Sequence, residues 1–268
     1  MKRLIAVLLS LSALSAAFAA VLLGALCING NAQTPPAGNL RMEPIKQLRK
    51  GVDAWPLIVS PGTPAAQRVN ETLTRLNRQL AQSLHDCDAG YESWFKAVGH
   101  PEDGQNQISA DWSRTIKVTM EGPRFLSLVA SDETFCGGAH PNGDVITMVF
   151  DMTTGAPVDW TEMVAKSAGA SANSAVGTLV LPALQKMNLA AADADCKDVF
   201  QDPQPFLMWP DAKRGTLVAQ PCDLPHVVQA CANEINLTMD QARKLGFDES
   251  LLTAIEHAHR QTSVAPKR

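Results

Sequence analysis

Histidine and cysteine, six of each in 268 residues, are the side chains best suited to bond-making chemistry here, and their spacing limits what they can do. A structural zinc site uses cysteines or histidines a few residues apart, completed to a tetrahedron by a second such pair. Cys222 and Cys231 are the nearest pair of cysteines and are still too far apart for that pattern. His226 between them suggests a mixed set, but a disulfide beside an ordinary histidine is the simpler reading. His257 and His259 are two apart on a helical segment and so fall on different faces, unlike an i, i+4 metal pair. Asp193 and Asp195 beside Cys196 lack the glycine and closing glutamate of a calcium loop. A Gly-x-Ser-x-Gly elbow and a glycine-rich phosphate loop are both missing from the sequence. No metal and no cofactor is expected.

His140 is the strongest single candidate for proton transfer. It sits in Cys136-Gly137-Gly138-Ala139-His140-Pro141-Asn142. A general base needs a nucleophile or carboxylate within reach, and the sequence identifies none. Glycines admit positive φ, and an imidazole can bond loop backbone, so the loop reads first as structure. Gly137, Gly138, His140 and Asn142 are therefore candidate binding residues, and no catalytic residue is assigned.

The cysteines also speak to compartment. Besides Cys27 there are Cys87, Cys136, Cys196, Cys222 and Cys231. In an oxidising compartment these make two disulfides and leave one thiol. Cys87 with Cys136, and one pair among Cys196, Cys222 and Cys231, is the expected arrangement.

The N-terminus fits that compartment. Lys2 and Arg3 precede an uncharged run from Leu4 to Ile28. A secretory apolar region spans about 7–15 residues and a membrane helix about 20, and this run suits either. Cleavage after Ala19 or, with a better polar new terminus, after Ala32 makes it a signal peptide; without cleavage residues 4–28 anchor the chain. Either way the body is expected outside the cytoplasm, periplasmic or otherwise extracytoplasmic. Removing residues 1–32 takes the net charge from −4 to −4 − 2 = −6. An acidic body repels phosphate backbones, which argues against nucleic acid. Aromatic residues are only 5%, which counts against stacking surfaces for sugars or single strands.

The elements that must position these residues follow from periodicity. After a linker at 33–50, Trp55–Val59 reads as a short strand. Thr63-Pro64 starts a helix, with Val69, Leu73, Leu76, Leu80 and Leu84 forming one apolar stripe through about residue 85. An irregular stretch around His100–Gly104 follows. Ile116, Val118 and Met120 alternate, and a Glu121-Gly122-Pro123 turn leads to Phe125–Ala130, an antiparallel hairpin. Val145–Phe150 is a third strand, and Asp159 with Glu162 is spaced to cap a short helix. Residues 167–190 are Ala-rich and helical from Ser174 to Asn188. Phe206–Trp209 and Gly215–Val218 form a hairpin around Pro210-Asp211, and His226–Ala230 and Ile235–Leu237 add strands. Glu249–Arg260 is a closing helix. The fold class is α+β, a largely antiparallel sheet with packed helices behind the signal peptide or anchor. The expected organisation is a leader at 1–32, a linker at 33–50, one domain at 51–262 and a polar tail at 263–268.

The order Cys136-Gly137-Gly138-Ala139-His140-Pro141-Asn142, strand, Phe150-Asp151-Met152-Thr153-Thr154-Gly155, then Val158–Met163 resembles the RsiV-type extracellular domain. That domain of unknown function also accompanies the deacetylase domain of PdaC-type enzymes. Phe206–Asp211, Leu217-Val218, Leu224–Ala230 and Ile235–Leu237 are similar to its closing hairpin and final strands. The resemblance covers about 110–245, with 51–110 as the companion region and 111–262 as the main part of the domain. The cysteines and the Ala-rich insert at 167–195 depart from the pattern, and no deacetylase domain accompanies it. The resemblance implies an envelope binding or sensing module for lysozyme or a cell-wall component, without catalysis. Only Met1, Lys2 and Arg3 precede the apolar run, so anti-sigma activity is not expected. The competing expectation is an envelope hydrolase acting on cell-wall material through His140.

Overall fold

One long helix organises the N-terminal half. The structure, a computed structural model, describes residues 40–98, 110–164 and 179–264. The expected leader, the first part of the linker, the His100–Gly104 stretch, the start of the Ala-rich helix and the end of the tail lie outside these residues. Helix α1 runs Pro64–Val98. Thr63 starts it, its hydroxyl accepting from Ala66 N at 3.1 Å, with proline at the first helical position. It outruns its expected end because Cys87 and Tyr91 continue the buried stripe of Val69, Leu73, Leu80 and Leu84.

That stripe covers a six-stranded sheet of order β1 to β6. The strands are β1 (Gln47–Arg49), β2 (Val52–Asp53), β3 (Asp111–Glu121), β4 (Phe125–Phe135), β5 (Asn142–Asp151) and β6 (Ala156–Pro157). Every pairing is antiparallel except β2 with β3. Side chains alternate across β4 as period two requires. Leu126, Leu128 and Ala130 pack with Trp55, Val69, Leu73 and Phe150 on the α1 face. Val129 on the other face joins Val149, Trp209 and Val218.

Trp209 and Val218 belong to a second, three-stranded antiparallel sheet of β7 (Phe206–Asp211), β8 (Thr216–Pro221) and β9 (Ile235–Leu237). Its far face, with Met208, Leu217, Ala219 and Leu237, is closed by α2 (Leu181–Ala191), α3 (Met239–Lys244) and α4 (Glu249–Val264) through Leu184, Ala242, Leu251, Leu252 and Ile255. The described residues cluster as one compact unit. The fold is α+β with antiparallel sheets. No helix of the described residues is long and apolar enough to cross a membrane.

Several local expectations are corrected. Trp55–Val59 is not a strand, although Met42 and Ile58 form an isolated bridge. Pro56 has no N–H to offer, and two helix asparagines take the flanking backbone instead. Asn77 accepts from Trp55 N at 2.8 Å and donates to Trp55 O at 3.0 Å; Asn70 does the same for Ile58 at 2.8 and 3.0 Å. His226–Cys231 is a 3-10 helix. Pro225 fixes the entry, its carbonyl accepting from Val228 N at 2.9 Å. The β7–β8 turn falls after Asp211, and Pro210 sits in β7, an edge strand where its missing donor is tolerated. Asp159 caps a single turn, accepting from the Thr161 N–H and hydroxyl at 2.8 and 2.7 Å, without a following helix. Helix α3 went unread, although Thr238 and Gln241 form its full capping box.

Candidate functional site

The Cys136–Asn142 loop joins β4 to β5 and is held from both sides. A disulfide bonds Cys136 to Cys87 on α1, with Cα atoms 4.7 Å apart. Beneath it Trp94 meets Phe135 edge-on at 5.6 Å between ring centroids, and Tyr91 lies 6.0 Å from Phe135. Gly137 has φ +97°, and a Cβ there would stand 2.8 Å from that of Trp94, so only glycine fits both the angle and the space. Gly138 has φ +101° but open space around it.

The far side of the loop is tied through Gly143. Gln229 accepts from Gly143 N at 3.3 Å and donates to Gly143 O at 2.9 Å. Gln229 belongs to the 3-10 helix ending at Cys231, which a second disulfide joins to Cys196. The one free thiol among the described residues, Cys222, is half-buried. Burial, then Asp223 and Asp144, push it above its ordinary value, with a backbone hydrogen bond at Leu207 opposing the rise, which favours the protonated thiol.

Gly138, Ala139, His140, Pro141 and Asn142 are exposed at the tip. The structure thus places Gly137, Gly138, His140 and Asn142 on one short loop. Its surroundings are acidic. Asp132 and Asp144 are directly opposed on β4 and β5. Asp144 is exposed as a residue, but partial desolvation of its carboxyl, then Asp132 and Asp223, raise it, while a hydrogen bond from Val145 N and the Arg114 charge oppose the rise. Asp132 is itself buried and chelated by Arg114, its cross-strand neighbour on β3. No group of three or more His, Cys, Asp or Glu side chains able to hold a metal occurs among the described residues.

Sequence reasoning missed the two residues that complete the bracing, Trp94 and Gln229. Gln229 acts across 86 residues of sequence, and no local pattern marks such a contact. The Arg114–Asp132 pair was equally invisible, since it depends on strand register.

No family model matches the sequence, and no curated protein matches it. Among solved structures, a DUF3298 family protein from Pseudomonas aeruginosa PAO1 is similar, with 16% identity and a TM-score of 0.44 over 81% of this chain and 95% of that one. A DUF3298 family member from Bacteroides fragilis shares 11% identity at a TM-score of 0.39, over 73% of this chain and 75% of that one. These neighbours belong to an uncharacterised domain family. At such identities and TM-scores neither carries a functional assignment.

Proposed function

We propose that this chain is an exported binding or sensing module of the cell envelope, acting without catalysis on a protein such as lysozyme or on a cell-wall component. The braced loop at Gly137–Asn142 carries the reading. A loop fixed before binding loses less conformational freedom when a partner docks, so more of its contact energy appears as affinity. Two disulfides favour an oxidising, extracytoplasmic compartment. The acidic body, with Glu133 and Asp144 exposed near the loop, steers a basic partner toward it. Among the ionisable groups, many are engaged in framework pairs, as Arg243 is with Glu249 and Glu256.

The test is co-sedimentation of the oxidised protein with isolated cell wall, run beside pull-down on immobilised lysozyme and an assay for cell-wall hydrolysis. Retention on either bait, lost by His140→Ala and Asn142→Ala without a change in melting temperature, is the expected result. Cell-wall hydrolysis that His140→Ala abolishes in a folded protein would replace this reading with an enzymatic one.

A further inference from the structure

A cleft of about 870 Å³ opens at the other end of β4 from the braced loop. The strand spans Phe125–Phe135, so at about 3.3 Å per residue the two features lie roughly 30–35 Å apart. Four segments line it: Leu40, the end of β3 with its turn to β4, the start of the β7–β8 turn, and the last part of α4. Its volume falls in the range of about 300–1,000 Å³ typical of small-molecule sites.

Ala212 ties three of these segments together. Its N–H donates to Thr119 O at 2.8 Å, and its carbonyl accepts from His259 Nδ1 at 2.8 Å and from the Thr262 hydroxyl at 3.4 Å. Facing a carbonyl, Nδ1 must carry the proton. Gly215 at φ +68° lets the His259 ring approach, since a Cβ there would stand 2.8 Å from the ring's Cγ. These bonds fix the β3, β7–β8 and α4 walls of the cleft relative to one another.

Its lining divides by chemistry. Met120, Ala212 and Ala258 are buried and supply an apolar floor, extended by half-buried Val118. Lys213, His257, Arg260 and Glu121 stand exposed around it. Lys213 and Arg260, like several other surface cations such as Lys117 and Lys244, have no ion-pair partner among the described residues; what sets these two apart is that both line one cleft. Two cations beside an apolar floor, against one carboxylate, leave the cleft with a positive excess on a protein that is acidic as a whole.

We infer that this cleft binds a small organic anion with an apolar body, its acid group held by Lys213 and Arg260 and its apolar part resting on Val118, Met120 and Ala258. The site is separate from the braced loop and stands whether or not the loop binds a partner. The full chain, oxidised, is titrated calorimetrically with decanoate, and in parallel with decanol and decylamine, below their aggregation concentrations. Decanoate is expected to saturate at one per chain and to bind more tightly than either of the others. Lys213→Ala and Arg260→Ala each weaken it by at least about tenfold, the loss expected for one hydrogen bond to a charged group. Both side chains are exposed, so melting temperatures stay unchanged. Decylamine binding as tightly as decanoate, unaltered affinity in both variants, or no decanoate binding up to millimolar concentration would each overturn the inference.

Discussion

Replacing Arg114 by methionine tests the physical argument most sharply. Arg114 and Asp132 are about 5% and 6% exposed and face each other directly across β3 and β4. Arg114 Nε donates to Asp132 Oδ1 at 2.5 Å, a second bond joins the other guanidinium nitrogen to Oδ2, and the guanidinium lies 5.8 Å from the Trp55 ring centroid. Without the arginine, a carboxylate is left in a dry site with Asp144 opposite it on β5. Breaking such a pair from one side costs about 3–5 kcal/mol. For a domain of this size each kcal/mol moves the melting temperature by about 2–4 °C, so a fall of roughly 6–20 °C is expected. Replacing both partners, Arg114→Met with Asp132→Leu, removes the buried charge along with its counter-ion and should recover most of the loss. Urea unfolding followed by tryptophan fluorescence with disulfides intact measures both. A single variant costing less than about 1 kcal/mol, or a double variant costing the sum of the singles, refutes the reasoning.

Three further outcomes follow from the same structure. Replacing both Cys87 and Cys136 by alanine opens a loop of 49 residues; chain entropy puts the loss at about 4 kcal/mol, read as a lower urea midpoint that reductant no longer shifts as far. Asn77→Ala or Asn70→Ala strands one backbone N–H and one C=O of the 55–58 segment, at about 1–3 kcal/mol per unsatisfied group, measurable in the same melts. Although Glu121 is exposed as a residue, partial desolvation of its carboxyl raises it above its ordinary 4.5, so its ionised form opposes folding. The penalty is absent below the ordinary value and complete above the raised one. Glu121→Gln should therefore leave stability unchanged at pH 3 and increase it at pH 7, and equal curves at both pH values would contradict the assignment.

Elements whose physics is local were legible. The α1 stripe follows from spacing alone, and the two long hairpin strands β3 and β4 follow from alternation around Glu121-Gly122-Pro123. The Gly137-Gly138 pair marked a loop needing positive φ, which both residues adopt. Contacts between distant segments were not legible. Trp55–Val59 has strand-like composition, and only the reach of Asn70 and Asn77 from α1 shows that side chains take the place of a neighbouring strand. His226–Ala230 has β-forming valines, yet Pro225 and the Cys231 bridge hold it as a 3-10 helix. The cleft brings together Glu121, Lys213 and Arg260 from three separate stretches of chain, so its charge balance could not be read from any one of them.

The central claim is that a braced, exposed loop binds a partner, and calorimetric titration of the oxidised protein with lysozyme tests it most directly. The account predicts saturable binding that weakens as salt rises and falls at least about tenfold in Asn142→Ala and in the reduced protein. Heat traces that stay flat at tens of micromolar protein, or binding that neither the loop substitution nor reduction alters, would contradict it.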